Sequence, residues 1–119
     1  MIATSATMGD TSWVLDIGAT HHLTSDLNNL MIHNPFTGGD KVIVRDGKGL
    51  SIANIGKFYL ASSSGSLVFN DVLHIPFITT NLVSVQRFCS DNDTFIEFHH
   101  FHFVVRDQKT RLALLQGKN

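Results

Sequence analysis

Cysteine is almost absent. Cys89 stands alone, which excludes an internal disulfide and a cysteine-rich zinc site. A reduced, cytosolic setting is consistent with that usage. Charge is also scarce. Charged residues make up 16% of the chain, nine Lys and Arg against ten Asp and Glu, so there is no basic footprint for nucleic acid. Clusters of basic and stacking aromatic residues, which a single-strand-binding barrel needs, are missing too. No apolar run approaches the ~18 residues of a membrane span. Residues 1–11 hold no basic stretch followed by a long apolar core, so they do not read as a signal peptide. Only two prolines, Pro35 and Pro76, punctuate the chain.

What is present is apolar sequence cut into short pieces. Hydrophobic residues make up 43% of 119 residues, enough for one domain with one core. Residues 1–11, rich in Ser, Thr, Ala and Gly, read as a flexible leader. Strands are expected over residues 12–17, 41–45, 50–60, 67–75, 94–98, 101–106 and 111–115. Turns or a short helical piece are expected over residues 21–31, and a loop over 35–40. Asp46-Gly47-Lys48-Gly49 and Ser62-Ser63-Ser64-Gly65-Ser66 are hairpin turns by composition. Gly56 suggests a bulge, and Pro76 stops the strand before it. Leu82, Val85 and Phe88 fall at helical spacing after Thr80 or Asn81 as a cap. That predicts one helix over residues 80–90. Short strands, frequent turns and one late helix make a small barrel or sandwich.

The stretch with most chemistry is Trp13-Val14-Leu15-Asp16-Ile17-Gly18-Ala19-Thr20. An apolar strand ending in a carboxylate is costly unless the carboxylate is hydrogen-bonded, paired or functional. One reading is an Asx-type turn, with Asp16 bonding backbone around Gly18. The other is an aspartic protease turn. Such enzymes face two of these turns so that two carboxylates share one proton. One acid polarises the scissile carbonyl and the other activates water. The chain has a single such turn in a strand context, so a homodimer would supply the second Asp16.

Other constellations carry less. His21 and His22 are adjacent and point apart. His100 and His102 share one face of an expected strand, with Phe101 and Phe103 inward, and no third ligand at metal spacing follows. Neither a metal nor a cofactor is expected. Asp46-Gly47-Lys48-Gly49 lacks the helix and the Lys-Ser/Thr pair of a phosphate loop. Cys89 has no activating neighbour in sequence and packs. No Gly-x-Ser-x-Gly elbow is present.

Three blocks together resemble the protease of Ty1/copia-type retrotransposon Gag-Pol polyproteins. Trp13-Val14-Leu15-Asp16-x-Gly18-Ala19-Thr20-His21-His22-Leu23-Thr24 is similar to that family's Trp, two apolar residues, then Asp-Ser-Gly-Ala-x-x-His-Met-Thr. Residues 41–56 resemble its glycine-containing flap hairpin. Asn70-Asp71-Val72-Leu73-His74-Ile75-Pro76, followed by Asn81-Leu82-Val83-Ser84-Val85, resembles its Val-Leu-x-Val-Pro and Asn-Leu-Leu-Ser-Val block. The resemblance covers residues 12–117. It implies a small closed retropepsin-like β-barrel that cuts its own polyprotein as a homodimer, in the cytoplasm within a virus-like particle. Its partners would be a second copy and a peptide substrate, with no direct nucleic acid or membrane contact. Asp16 would be catalytic. Ile17, Gly18 and Ala19 would form the active-site turn, and Asp46, Gly47, Lys48 and Gly49 the flap over the substrate.

One departure stands out. The family has Ser or Thr between Asp and Gly, where this chain has Ile17. In the dimeric proteases that hydroxyl bonds across the two-fold axis. Each lost bond is worth ~1 kcal/mol and occurs twice per dimer, so a weaker dimer and low or absent activity are expected with the fold retained. The alternative is a catalytically inactive barrel serving as a protein-binding or structural module.

Overall fold

A computed structural model describes residues 3–8, 11–44 and 46–118. Twelve strands and one α-helix are described. Seven of the strands belong to the largest sheet: β1 (Ala3–Met8), β2 (Thr11–Asp16), β3 (Leu23–Thr24), β4 (Ile32–Pro35), β7 (Asn54–Ser62), β8 (Gly65–His74) and β9 (Leu82–Ser84). They form one sheet in the order β1-β2-β9-β3-β8-β7-β4, which curls into a half-barrel. A hairpin of β5 (Lys41–Ile43) and β6 (Gly49–Ser51) forms its own two-stranded sheet. The helix α1 (Val85–Asn92) leads into a three-stranded sheet of β10 (Thr94–Phe98), β11 (His102–Asp107) and β12 (Ala113–Lys118). The expected small all-β barrel with one helix in its second half is borne out.

The core lies between the curled sheet, α1 and the three-stranded sheet. Trp13 stacks on Phe58 at 5.4 Å, Phe58 on Phe69 at 4.3 Å, and Phe69 meets Phe88 of α1 at 4.8 Å. Leu15, Val83, Phe103 and Val105 close around this aromatic column. Fully burying a side chain of this size stabilises by ~1.5–3 kcal/mol. The column therefore fixes the geometry of β2, and with it the position of Asp16. Asn92, at the end of α1, clasps β8. Its side chain accepts from the Val68 N–H at 2.8 Å and donates to the carbonyls of Val68 and Phe88.

Several elements differ from expectation. Ala3–Met8, expected as leader, pairs antiparallel with β2, Ala3 standing opposite Asp16. An unpaired β2 edge would leave backbone groups open, and a Thr-containing segment close in sequence can fill it. Residues 1, 2, 9 and 10 of that segment lie outside the described residues, as does Arg45, the expected end of a strand. Ile32–Pro35, of which only Pro35 is expected in a loop and residues 32–34 in no element, is the edge strand β4 against β7. The strand expected over residues 50–60 is broken into β6 and β7, because the hairpin folds away from the main sheet.

The helix begins five residues later than expected. Leu82 to Ser84 form β9, parallel to β2, and Ser84, not Thr80 or Asn81, caps α1 by accepting from the Arg87 N–H at 3.2 Å. The spacing of Leu82, Val85 and Phe88 fits both a helix and a short buried strand followed by one. Phe101, expected inward, is 75% exposed. The turn between β10 and β11 takes it out of the strand, while Phe103 points into the core as expected. An irregularity does occur at Gly56, but the additional residue is on the partner: β8 steps from Val72 to Phe69 while β7 steps from Gly56 to Phe58. Asp71 takes the left-handed φ of 53° there.

Candidate active site

β2 delivers Asp16. Trp13 and Leu15 point into the core. β9 pairs alongside in parallel and sets Asp16 opposite Ser84. Asp16 is 5% exposed. One carboxylate oxygen accepts the Gly18 N–H at 2.8 Å, the Asx-type turn that the spacing allowed. Its other oxygen accepts no hydrogen bond from the described residues. The side chain is thus aimed by the turn with one oxygen left for another partner. Ile17 between them is 48% exposed, an apolar side chain facing solvent beside a buried acid.

The loop after the turn is tied down at several points by the junction of β9 and α1. Ser84 Oγ donates to the Ala19 carbonyl at 2.7 Å, and Arg87 Nε donates to the Thr20 carbonyl at 3.1 Å. The Ser84 N–H donates to His22 Nδ1 at 3.0 Å. The Leu73 N–H of β8 donates to the His22 carbonyl at 2.9 Å. Asn81 ties the next segment: its Oδ1 accepts from Thr24 Oγ1 at 2.7 Å and the Ser25 N–H at 3.2 Å, and its Nδ2 donates to the Ser12 carbonyl. Such side-chain bonds satisfy backbone groups that a short irregular loop would leave unpaired.

His22 is fully buried. Burial, with the Arg87 guanidinium and His21 nearby, pushes its imidazole down from 6.5 to about 4. Burial disfavours the charged form, and a neighbouring cation adds to that. Arg87 itself pairs with Asp71 at 3.3 Å. That pair is largely solvated and contributes little.

Beside the loop lies a cavity of about 680 Å³. It is lined by Ala19, Thr20 and His21 of the loop and by Leu23, Leu73 and Leu82. Lys41, Val42 and Ile43 of β5 line it as well, with Phe36, Ile52 and Ile55. Asp40, Lys41, Asp71 and Arg87 supply the charges at its margin. An apolar cleft with a few polar groups at its edge is the usual form of a ligand site.

Of the sequence-predicted residues, Ala19 lines this cavity, while Asp16, Ile17 and Gly18 sit on the same turn outside the lining. Asp46, Gly47 and Lys48 make the hairpin tip and Gly49 opens β6 opposite Ile43, all outside the lining. The tip is built as its composition requires. Asp46 Oδ1 accepts the Lys48 N–H at 3.0 Å, and Gly47 has a φ of 87°, which a side chain would strain. β5, not the tip, lines the cleft. Sequence reasoning missed the residues that hold the loop, His22, Ser84 and Arg87. The signal for Ser84 was a good helix cap directly before Val85. It also missed Phe36 and Ile55 of the cleft, which nothing local in the sequence marks.

The histidines of the β10–β11 turn do not gather a metal site. Among the described residues no group of three or more His, Cys, Asp or Glu is placed to hold an ion. His99 Nε2 instead meets Glu97 at 3.0 Å, and Glu97 also pairs with Arg106. Cys89 packs at the edge of the core, where burial pushes its thiol up.

Residues 13–94 match the family described as "Pol polyprotein, beta-barrel domain". The chain is 46% identical over 117 residues to the retrovirus-related Pol polyprotein from transposon RE2 of Arabidopsis thaliana. It is 44% identical over 117 residues to that from transposon RE1 of the same plant. Each alignment covers 98% of this chain and 8% of the relative, so the chain spans a small part of those polyproteins. No solved structure matches it.

Proposed function

Because the chain belongs to the family of Pol polyprotein β-barrel domains of retrotransposons, we propose that it is the aspartic endopeptidase of a Ty1/copia-type polyprotein. The observation that carries this reading is the Asp16 turn. A buried carboxylate at the end of a core strand, aimed by the Gly18 N–H, leads directly into the loop that walls an apolar cleft. Lys41, Val42 and Ile43 of β5 line the same cleft.

One chain holds half of the chemistry. A second copy brings a second Asp16 within hydrogen-bond distance about a two-fold axis, and the two carboxylates share one proton. The protonated acid polarises the scissile carbonyl. The ionised one takes a proton from the attacking water. The substrate is an extended peptide that pairs its backbone with the hairpin and sets side chains into the cleft between Val42 and Leu82. Ile17 is the weak point. It cannot make a hydroxyl bond across the axis, and each such missing bond lowers dimer stability by ~1 kcal/mol.

The test is cleavage of an extended peptide with apolar side chains, at acid and neutral pH. Asp16→Asn is expected to abolish cleavage, and Ile17→Ser to raise both dimer content and rate. Cleavage that survives Asp16→Asn in contaminant-free protein sinks the reading. Ile17 itself favours a second reading, an inactive barrel that serves as a protein-binding module. That reading expects no cleavage from the wild type or from the Ile17→Ser variant.

A further inference from the structure

We infer that His22, in its neutral form, is the positioning residue that holds the Asp16 turn against the β9–α1 junction. The tautomer follows from the geometry. Nδ1 accepts a backbone N–H, that of Ser84, at 3.0 Å, so Nδ1 carries no proton and the ring proton is on Nε2. Nε2 is buried and has no hydrogen-bond partner among the described residues. The ring meets Phe69 edge-on at 5.5 Å. A fully buried imidazole with one nitrogen committed and the other unpartnered is held for the bond it makes, not for its solvation.

That bond sits at the centre of the site's supports. Ser84 stands opposite Asp16 in the β2–β9 pairing. Its hydroxyl holds Ala19, the last residue of the turn, and its N–H is held by His22. His22 also accepts from Leu73 through its carbonyl. One residue therefore links β8, β9 and the loop behind Asp16.

Protonating His22 undoes the link. A proton on Nδ1 points at the Ser84 N–H, donor against donor. The groups that face the ring oppose it further: Arg87 from α1 and His21 on the same loop. β9 offers Ser84 and β8 offers Phe69, neither of which stabilises a cation by charge. Asp71 of β8 is paired with Arg87. The low imidazole value agrees with this arrangement. The consequence is a limit on acidity: the Asp16 turn loosens once His22 takes its proton. The bearing on catalysis rests on the endopeptidase reading, while the positioning role does not.

The experiment follows the His22 ring and the backbone amides by NMR and hydrogen exchange on the intact chain, from neutral pH into acid. Protection of the Gly18 and Ser84 amides is expected to fall about tenfold or more as His22 protonates. The Val68 amide, bonded to Asn92 at the C-terminal end of α1 rather than to the His22–Ser84 link, is expected to keep its protection. His22→Asn places Oδ1 where Nδ1 stands and cannot titrate, so protection at Gly18 and Ser84 is expected to persist through the same range. His22→Leu removes the acceptor and is expected to lower it at every pH. Protonation of His22 near its ordinary value with Gly18 and Ser84 unchanged overturns the inference, as does undiminished protection in His22→Leu. Should His22→Leu fail to fold, the wild-type titration and His22→Asn decide it. None of these readouts needs activity, so failure of cleavage counts against the endopeptidase reading alone.

Discussion

Acid stability is where the structure makes its most quantitative statement. His22 titrates at about 4 in the folded chain against 6.5 when solvated. On acidification the unfolded chain takes up its proton first, so folding loses ground. The sign is therefore definite: the contribution of neutral His22 is complete above pH ~6.5 and is lost progressively as pH falls to about 4. Each pH unit between those values is worth ~1.4 kcal/mol, so the full loss is about 3 kcal/mol. Domains of this size have ~5–15 kcal/mol to lose, which makes the effect large. Glu97, drawn down by its bonds to His99 and Arg106, and Asp107, drawn down by the backbone N–H groups of Thr110 and Lys109, also weaken the fold in acid. Their contributions are lost below their ordinary values of 4.5 and 3.8, beneath most of the His22 window. The assay is denaturant unfolding at a series of pH values for the wild type and His22→Asn. The difference between the two is expected to grow with falling pH between about 6.5 and 4.5 in favour of Asn. Parallel curves across that range refute the reasoning.

Three further outcomes test the packing and the cleft. Gly56→Ala sets a Cβ against the Ile32 carbonyl and the His33 side chain, so β4 is expected to detach from β7, with raised exchange at the Lys57 and Ile32 amides and a loss of ~2 kcal/mol in thermal unfolding. Asn92→Leu leaves both the N–H and the carbonyl of Val68 unpaired, and ~2–4 kcal/mol of destabilisation is expected in denaturant titration. Gly47→Ala forces a side chain into a left-handed φ at a cost of ~1 kcal/mol. It is expected to disorder the hairpin tip, raising KM for a peptide more than it lowers stability.

What could be read from residues alone follows from how local the determinants are. The Asp46-Gly47 and Ser62–Gly65 turns are set by two or three neighbours, and both appear where the composition places them. The Asp16 turn is equally local: an acid two residues before a glycine bonds that glycine's N–H. β9 is not local. Its three residues become a strand because β2 and β3, some sixty residues earlier, offer edges on either side. Isolated, the same residues suit the first turn of a helix. His22 was hidden for a similar reason. Next to His21 it looks like half of a polar pair, and only the crossing of β9 behind it makes it a buried acceptor for Ser84. The cleft is the least legible part, since the residues that line it come from loops and strands scattered from Ala19 to Arg87.

On the endopeptidase reading, two Asp16 residues, one from each copy, make the site. The direct measurement is cleavage by mixtures of wild-type and Asp16→Asn chains at constant total concentration, both in the Ile17→Ser background to secure dimers. If the site needs both acids, activity falls with the square of the wild-type fraction, to about a quarter in an equal mixture. A fall in simple proportion to the wild-type fraction means that one chain suffices, and contradicts the account.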